Sequence, residues 1–431
     1  MSLVAVIGIQ WGDEGKGKIV DLYSKDANCV VRYQGGSNAG HTVAVGEEVI
    51  ALHHIPSGIL YPNVKCLIGS GVVVDPYVIL DEINMLREKG FVQNPAQLAI
   101  SPLANMIMPY HRWLDVAREQ ARGERKIGTT GRGVGPAQED RVGRRGIRMY
   151  ELLHEERLEA AIAAVVPEKN ALLEYYGVKE RVSPSVLAAE LSHLGKKLTP
   201  FIQSVDSLLF QSMARGENVL FEGAQGVLLD LDIGSVPYVT SSNTTAATCL
   251  SGAGVMVPHS LDAIIGVSKA YATRVGEGPF PTEQVNEDGS KMREIGGEFG
   301  TTTGRARRCG WLDLVALKYA VRVSGCTALA ITKIDVLSYF DKIQICTGYR
   351  MGDETVSDIP DAMSLTHVQP YYEESPGWKE DLTSARHLKD LPMKARHYID
   401  LIEDFTKCPV VSISVGPRRD QTIERKKPWK L

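Results

Sequence analysis

The chain has 431 residues, of which 44% are hydrophobic and 23% charged, and its formal net charge is -4 at pH 7. This length and composition are typical of a globular protein with a large core. The acidic balance argues against a protein whose main role is to coat nucleic acid, because such proteins are strongly basic.

The first residues lead directly into an apolar run, without a basic leader or a small-residue cleavage site. No apolar stretch is long enough to cross a bilayer. The seven cysteines are scattered with no C-x-x-C pair, which favours reduced thiols over disulfides or zinc. His53 and His54 lack partners at zinc-binding spacing and are interpreted as structural. We therefore expect a cytoplasmic protein that binds neither membrane nor nucleic acid.

Short β-branched runs recur along the chain, each followed by Gly, Asn or Asp, as in buried strands of an α/β sheet. They lie at residues 3–9, 49–52, 67–74, 218–222, 263–268, 328–334 and 410–415. Helical patterns separate them, and residues 151–215 are mostly helix-periodic. No repeat or linker divides the chain. We predict an α/β fold with a large, mostly parallel central sheet and flanking helices, as one domain over 1–431 with a helical subdomain at about 151–215.

A glycine-rich loop follows the first run, with the sequence QWGDEGKGK at positions 10–18, and a helical pattern begins at Ile19. Strand, glycine loop and helix together bind phosphate, because loop N–H groups and the helix N-terminus face the anion. Lys16 or Lys18 can reach the phosphate oxygens, and the glycine–lysine spacing fits a Walker-like pattern. Ile19 stands where Ser or Thr normally binds magnesium, so another oxygen must serve, and Asp13 lies in the loop. An ordinary glycine-rich turn is the alternative.

Two further segments strengthen the prediction of a nucleotide-binding site. The sequence QGGSNAGHT at 34–42 is a second loop of small residues that contains His41, and residues 328–335 form a buried-strand pattern ending in T-K-x-D. The Asp335 carboxylate can accept from both N1–H and the exocyclic amine of guanine, whereas adenine lacks this pair of donors. The pattern therefore favours GTP over ATP, with Lys333 covering the base and the turn at 412–417 closing the pocket.

Two polar loops, at residues 126–146 and 300–308, combine glycines, hydroxyls and arginines. Hydroxyls, backbone N–H groups and arginine forks form a natural site for phosphate or carboxylate. A solvated charge run or an RNA-contacting patch is the alternative. Gln225 follows a strand pattern and could contact a purine edge, although most glutamines in such a place are simply exposed.

Long motifs occur in a fixed order from the first strand to residues 414–416. They are Q-W-G-D-E-G-K-G-K, Y-Q-G-G-x-N-A-G-H-T, G-T-T-G-R-G-x-G-P, F-E-G-A-Q-G, P-Y-V-T-S-S-N-T-T, G-P-F-P-T-E, T-T-G-R-x-R-R-x-G-W-L-D and T-K-x-D. This set resembles adenylosuccinate synthetase, and residues 151–215 contribute nothing to the match. The resemblance implies GTP-dependent ligation of L-aspartate to inosine monophosphate (IMP), giving adenylosuccinate, GDP and phosphate through 6-phosphoryl-IMP, at the first committed step of AMP synthesis.

The resemblance also implies catalytic roles for Asp13, Lys16, His41 and Gln225. Asp13 would remove the N1 proton of IMP so that O6 becomes a nucleophile. His41 and Lys16 would stabilise the charge that develops during phosphoryl transfer. One Mg²⁺ per subunit would be held by Asp13 and the Gly40 carbonyl.

The same residue-by-residue match implies three binding sets. The GTP set is Gly12, Asp13, Glu14, Gly15, Lys16, Gly17, Lys18, Gly40, His41, Thr42, Arg307, Lys333, Ile334, Asp335, Ser414, Val415 and Gly416. The IMP set is Asp13, Glu14, Gly15, Lys16, Asn38, Ala39, Gly40, His41, Thr130, Arg144, Gln225, Thr240 and Arg305. The aspartate set is Thr301, Thr302, Thr303, Gly304, Arg305, Ala306 and Arg307. Arg144 would reach the partner's active site across a homodimer interface.

The chain departs from the family pattern at two places. Ala306 interrupts an arginine run that family members often continue, which lowers the local charge without removing a ligand. Residues 246–248 stand where glycines are common and could stiffen that loop.

Three other classes of protein share part of this pattern. A regulatory GTPase switch would have the phosphate loop and T-K-x-D, but the carboxylate-binding Thr/Arg loop argues against it. A nucleic-acid-binding module would explain the arginine clusters and the basic tail at 425–430, but not the acidic overall balance. An inactive relative used as a scaffold is opposed by the presence of Asp13, Lys16 and His41.

Overall fold

The strands and helices follow the apolar patterns of the sequence. The computed structural model describes residues 2–45, 48–255, 261–300, 304–352 and 354–431, apart from the side chains of Val45 and Met351. The strands are β1 Leu3–Gly8, β2 Cys29–Arg32, β3 His41–Val45, β4 Glu48–Leu52, β5 Lys65–Ile68, β6 Val73–Val74, β7 Leu98–Ile100, β8 Asn105–Met106, β9 Val219–Gly226, β10 Ala263–Lys269, β11 Ala272–Arg274, β12 Arg308–Gly310, β13 Leu312–Asp313, β14 Ala328–Thr332, β15 Lys342–Met351, β16 Glu354–Val356, β17 Gln369–Pro376, β18 Val410–Ser414 and β19 Thr422–Glu424. The helices are α1 Lys16–Ser24, α2 Pro76–Glu88, α3 Pro109–Ala121, α4 Val134–Val142, α5 Glu155–Tyr175, α6 Pro184–Leu198, α7 Val205–Ala214, α8 Cys249–Ala253, α9 Glu287–Gly296, α10 Leu314–Ser324 and α11 Met393–Thr406.

Nine of the described strands form one sheet, in the order β19-β18-β14-β10-β1-β9-β2-β5-β7. Neighbouring strands in this sheet are parallel, except for the antiparallel pair β18 and β19. Strand β1 is buried throughout, with Ala5 and Ile7 in the core on one face and Val4 and Val6 in the core on the other. Burial on both faces produces the continuous apolar runs of the sequence. The predicted α/β fold with a large, mostly parallel sheet is confirmed.

Two of the apolar runs do not form the predicted strands of the central sheet. Residues 49–52 belong to β4, which pairs with β3 in a separate hairpin, and Val49 is 66% exposed. Residues 67–74 form two strands, because the chain turns at Gly71, where a side chain would meet the Tyr33 carbonyl oxygen at 2.2 Å. Strand β6 then pairs with β8 outside the central sheet.

Residues 151–215 contain α5, α6 and α7, as their periodicity indicates. Helix α5 packs against α3 and α6, and α6 also contacts α2. Leu158 of α5 and Leu191 of α6 are buried in the core that covers one face of the central sheet. The division of the chain into one domain with a helical subdomain stays a prediction. Within the described ranges, no helix is both long and apolar enough to span a membrane.

Candidate active site

The predicted loops meet at the carboxyl ends of the parallel strands of the central sheet, where β1, β2, β9, β14 and β18 all end. A cleft of about 650 Å³ opens at this edge. The predicted site residues that line it are Gly12, Asp13, Gly15, Lys16, Gly17, Lys18, Asn38, Ala39, Gly40, His41, Thr42, Thr130, Gln225, Thr240, Arg307, Lys333, Asp335, Ser414 and Gly416. Residues more than 400 positions apart in the chain thus share one cavity.

The phosphate loop runs from the end of β1 to the first residue of α1, Lys16. Gly15 caps this helix with φ 87°, a left-handed conformation that glycine adopts without steric cost. The buried Glu14 carboxylate accepts from Gly12 N at 2.8 Å and from Lys16 Nζ at 2.5 Å. Thr332, the last residue of β14, donates through its hydroxyl to the Glu14 carbonyl at 2.5 Å. The loop is therefore tied to the strand that precedes the guanine motif.

Asp13, in the phosphate loop, takes part in a chain of ion pairs. Its Oδ2 accepts from Arg307 Nε at 2.7 Å, and Arg307 Nη1 donates in turn to Glu298 Oε2 at 2.7 Å. The Asp13 side chain is 34% exposed, whereas that of Glu298 is 0% exposed. Asp13 thus faces the cleft, and Arg307 connects it to a buried carboxylate that none of the sequence motifs indicates.

His41, the first residue of β3, is held by the buried carboxylate of Glu222 on β9. Glu222 accepts a hydrogen bond from His41 Nδ1, and also from the N–H and hydroxyl of Ser57 at 2.8 and 3.1 Å. Burial lowers the pKa of His41, while the Glu222 charge acts in the opposite direction. Because Nδ1 is engaged, the remaining ring nitrogen, Nε2, is the one that can serve a ligand.

Glu222→Gln is expected to lower kcat by about 10- to 100-fold while the KM for GTP changes little, as for other partners that orient a functional histidine. The amide keeps the shape of the side chain but removes the charge that supports a protonated His41. Steady-state kinetics would measure this, with Ser57→Ala as the matched control, because that change removes only one of the donors to Glu222. Equal kcat values for E222Q and wild type would show that Glu222 serves packing alone.

Three of the residues assigned to IMP form a hydrogen-bonded row along the cleft. Gln225 Nε2 donates to Asn38 Oδ1 at 3.1 Å, and Asn38 Nδ2 donates to Thr240 Oγ1 at 3.4 Å. These residues come from three separate segments of the chain, so the row joins three of the sequence motifs. Its amides and hydroxyl are suited to contact a polar ligand such as a nucleotide.

The guanine motif lies just beyond β14, which ends at Thr332 and not at 334 as predicted, because Lys333 turns into a left-handed conformation with φ 56°. Asp335 lines the cleft, and burial raises the pKa of its carboxyl, although nearby Lys18 and Lys333 favour the ionised form. Lys18 Nζ donates to Ser414 Oγ at 2.7 Å and to the Gly416 carbonyl at 2.6 Å. Burial lowers the pKa of Lys18 to about 8. Lys18 thus holds the turn at 414–416 against α1.

The remaining predicted residues do not line the cleft. Glu14, Ile334 and Val415 are buried beneath its surface. Gly304, Arg305 and Ala306 are exposed, but Arg305 Nη2 lies 3.6 Å from Glu277 Oε1, and Glu277 lines the cleft. Arg144 is exposed on the turn after α4. Thr301, Thr302 and Thr303 fall outside the described residues.

Several of the predicted site residues have left-handed backbone. Among the described non-glycine residues, positive φ angles between 53° and 61° occur at Asp13, Arg144, Gln225, Lys333 and Lys407. Left-handed backbone at a non-glycine residue tends to occur at functional sites. All but Lys407 belong to the residues assigned from sequence.

The fold and the cleft together define a GTP-using enzyme. A glycine-rich phosphate loop, the carboxylates of Asp13 and Asp335 and the imidazole of His41 line one cavity of about 650 Å³. The family model for adenylosuccinate synthetase matches residues 5–423. The chain belongs to the adenylosuccinate synthetase family.

Individual relatives agree with this assignment. The adenylosuccinate synthetases of Syntrophotalea carbinolica and Geotalea daltonii are 52% and 51% identical over 430 residues, covering 100% of each chain. The structure of fully ligated adenylosuccinate synthetase from Plasmodium falciparum is similar with a TM-score of 0.91 at 35% identity, covering 99% of this chain and 100% of that one. The predicted activity is confirmed at this level: the family is a ligase of purine nucleotide synthesis that joins L-aspartate to IMP with GTP.

Proposed function

We propose that this chain performs its family's reaction in the cleft described above, with Asp13, Lys16, His41 and Gln225 as the catalytic residues. The observation that carries the proposal is that Asp13, His41, Gln225 and the guanine-directed Asp335 line a single cavity. One nucleoside triphosphate and one nucleoside monophosphate can therefore meet between them.

In the first step, the Asp13 carboxylate takes the proton from N1 of IMP, and the electron pair shifts to O6. O6 then attacks the γ-phosphorus of GTP, the bond from that phosphorus to the β–γ bridging oxygen breaks, and GDP leaves. Lys16 and His41 Nε2 stabilise the charge that accumulates on the phosphates. In the second step, the amine of aspartate attacks C6, the C6–O6 bond breaks, inorganic phosphate leaves, and the amine loses a proton.

A magnesium ion fits the residues at the loop. Mg²⁺ prefers oxygen ligands and commonly takes one or two protein ligands, with the rest from phosphates and water. Asp13 and Gly40 both line the cleft, so a carboxylate and a backbone carbonyl are available as oxygen ligands. Asp13 and Gly40 would hold one Mg²⁺ per subunit, and the ion would neutralise phosphate charge when bound.

The other assignments extend the same proposal. The GTP, IMP and aspartate sets are those inferred from the sequence, with Thr301, Thr302 and Thr303 included although they lie outside the described residues. Support for the aspartate loop comes from its stem, where Gly300 N donates to the Arg305 carbonyl at 2.8 Å and Phe299 pairs with Ala306.

A homodimer belongs to the proposal as well. The Arg144 side chain makes no hydrogen bond or ion pair with any described residue, and the neighbouring Val142 is 81% exposed. An exposed valine beside an unpaired arginine suits a contact surface from which Arg144 enters the partner's active site. A cytoplasmic location follows from the reaction, which uses intracellular nucleotides.

Turnover by the purified protein tests the proposed function. With magnesium present, we expect adenylosuccinate, followed by its ultraviolet absorbance, only when GTP, IMP and aspartate are all supplied, and no product when ATP replaces GTP. GTP hydrolysis at a rate that does not depend on IMP or aspartate would contradict the proposal and favour a regulatory GTPase switch.

A further inference from the structure

Glu298 occupies the stem of the loop that carries the proposed aspartate-binding residues. Its N–H donates to the Arg293 carbonyl at 2.8 Å, which joins it to the end of α9. Arg307 N donates to the Glu298 carbonyl at 2.9 Å, so the two ends of the loop meet at this residue. The backbone around Glu298 is therefore fixed from both sides.

The Glu298 carboxylate accepts hydrogen bonds from four side chains. Oε2 accepts from Lys269 Nζ at 2.8 Å and from Arg307 Nη1 at 2.7 Å. Oε1 accepts from Lys333 Nζ at 3.0 Å and from the Tyr271 hydroxyl. Burial alone would raise the pKa of Glu298, but the three cations hold it well below its usual range. The Glu298 carboxylate is thus ionised at neutral pH, and each of its oxygens accepts two hydrogen bonds.

The three cations differ in what they do. Lys269 is 0% exposed and needs a counter-charge, which Glu298 supplies. Lys333 and Arg307 have side chains that are 32% and 10% exposed, and both line the cleft. A buried ion pair adds little net stability, so neutralising Lys269 does not account for a carboxylate that also binds two cleft residues. Glu298 fixes where these two cations point.

We propose that Glu298 is a positioning residue that orients both Lys333 and Arg307 toward GTP, and so sets the affinity for GTP without touching it. This inference rests on the proposed assignment of Lys333 and Arg307 to GTP.

The test compares Glu298→Gln with Glu294→Gln, an exposed residue near the end of α9. Because charge-assisted hydrogen bonds are lost, we expect E298Q to raise the KM for GTP and the calorimetric Kd for GDP by about tenfold or more. The KM for IMP and kcat should change less, by about twofold to threefold. E294Q should match wild type in all of these measurements.

A second pair of variants separates positioning from packing. E298Q leaves Lys269 buried without a counter-charge, whereas E298Q combined with Lys269→Met does not. If Glu298 only neutralised Lys269, the double variant would regain wild-type GDP affinity, and that recovery would overturn the proposal, as would unchanged affinity in E298Q. We expect the double variant to stay weak. We also expect E298Q to cost less GDP affinity in a Lys333→Met background than in wild type, because the two changes act through one contact.

Measurements on the wild-type protein distinguish the two proposals. Formation of adenylosuccinate by wild type depends on the proposed function alone, while GDP affinity in the variants depends on Glu298. If wild type forms adenylosuccinate normally and E298Q binds GDP with wild-type affinity, only the positioning role of Glu298 is contradicted.

Discussion

Asp13→Asn is expected to lower adenylosuccinate formation by about 10³-fold or more while the protein remains folded. The change removes the proposed base for the N1 proton of IMP and, in the same side chain, a proposed charged ligand for magnesium. The amide has the same size as the carboxylate and the side chain is 34% exposed, so the change leaves no cavity in the core. Arg307 keeps its hydrogen bond to Glu298 at 2.7 Å and is not left unpaired.

The measurement is kcat with all three substrates saturating, together with thermal melting of the same preparation. Asp26→Asn is a suitable control, because Asp26 forms an exposed ion pair with Lys427 at 2.6 Å, away from the cleft. Wild-type turnover in D13N would remove Asp13 from the mechanism. A large loss of melting temperature in D13N, absent in the control, would show instead that the residue supports the fold.

Asp335→Asn is expected to raise the KM for GTP by about 100-fold, because a site that loses the acceptor for two buried donors rejects the ligand strongly. The amide offers one acceptor and one donor in place of two acceptors. Xanthine carries a carbonyl at C2 where guanine carries an amine, so the new donor matches it. Xanthosine triphosphate should therefore support turnover by D335N better than GTP does, the reverse of the wild-type order.

Competition between the two triphosphates in one assay measures this change of preference directly. Asp341→Asn serves as the control, because Asp341 is an exposed residue that pairs with Lys379 at 2.8 Å. An equal loss of activity with both nucleotides would mean that Asp335 does not contact the base. The ratio of the two rates is informative even where D335N is less stable, since instability affects both substrates alike.

Much of the fold could be predicted because strands buried on both faces leave continuous apolar runs. Strands β1, β10, β14 and β18 match the runs at 3–9, 263–268, 328–334 and 410–415, with C-terminal ends that differ by one or two residues. The run at 49–52 has the same composition but forms one strand of a hairpin with alternating burial. Composition alone does not distinguish these two environments, because pairing partners determine burial.

The loops of the site could be predicted because glycines, hydroxyls and charges stand together in the sequence. Their partners could not, since His41 and Glu222 are 181 positions apart. One signal was available for Glu222: an acidic residue inside the buried strand β9 must be paired. Glu298 offers no such signal, because it follows a helix in a polar segment and only folding surrounds it with cations.

Asp13, Gln225 and Lys333 have left-handed backbone, which lowers stability, while their side chains belong to the proposed site. Glycine would relax each residue by about 1 kcal/mol, a sizeable share of the roughly 5–15 kcal/mol that keeps a domain folded. Glycine supplies no carboxylate, amide or ammonium group, however. Selection by melting temperature alone is therefore expected to favour glycine at these three positions and to remove side chains on which the proposed reaction depends.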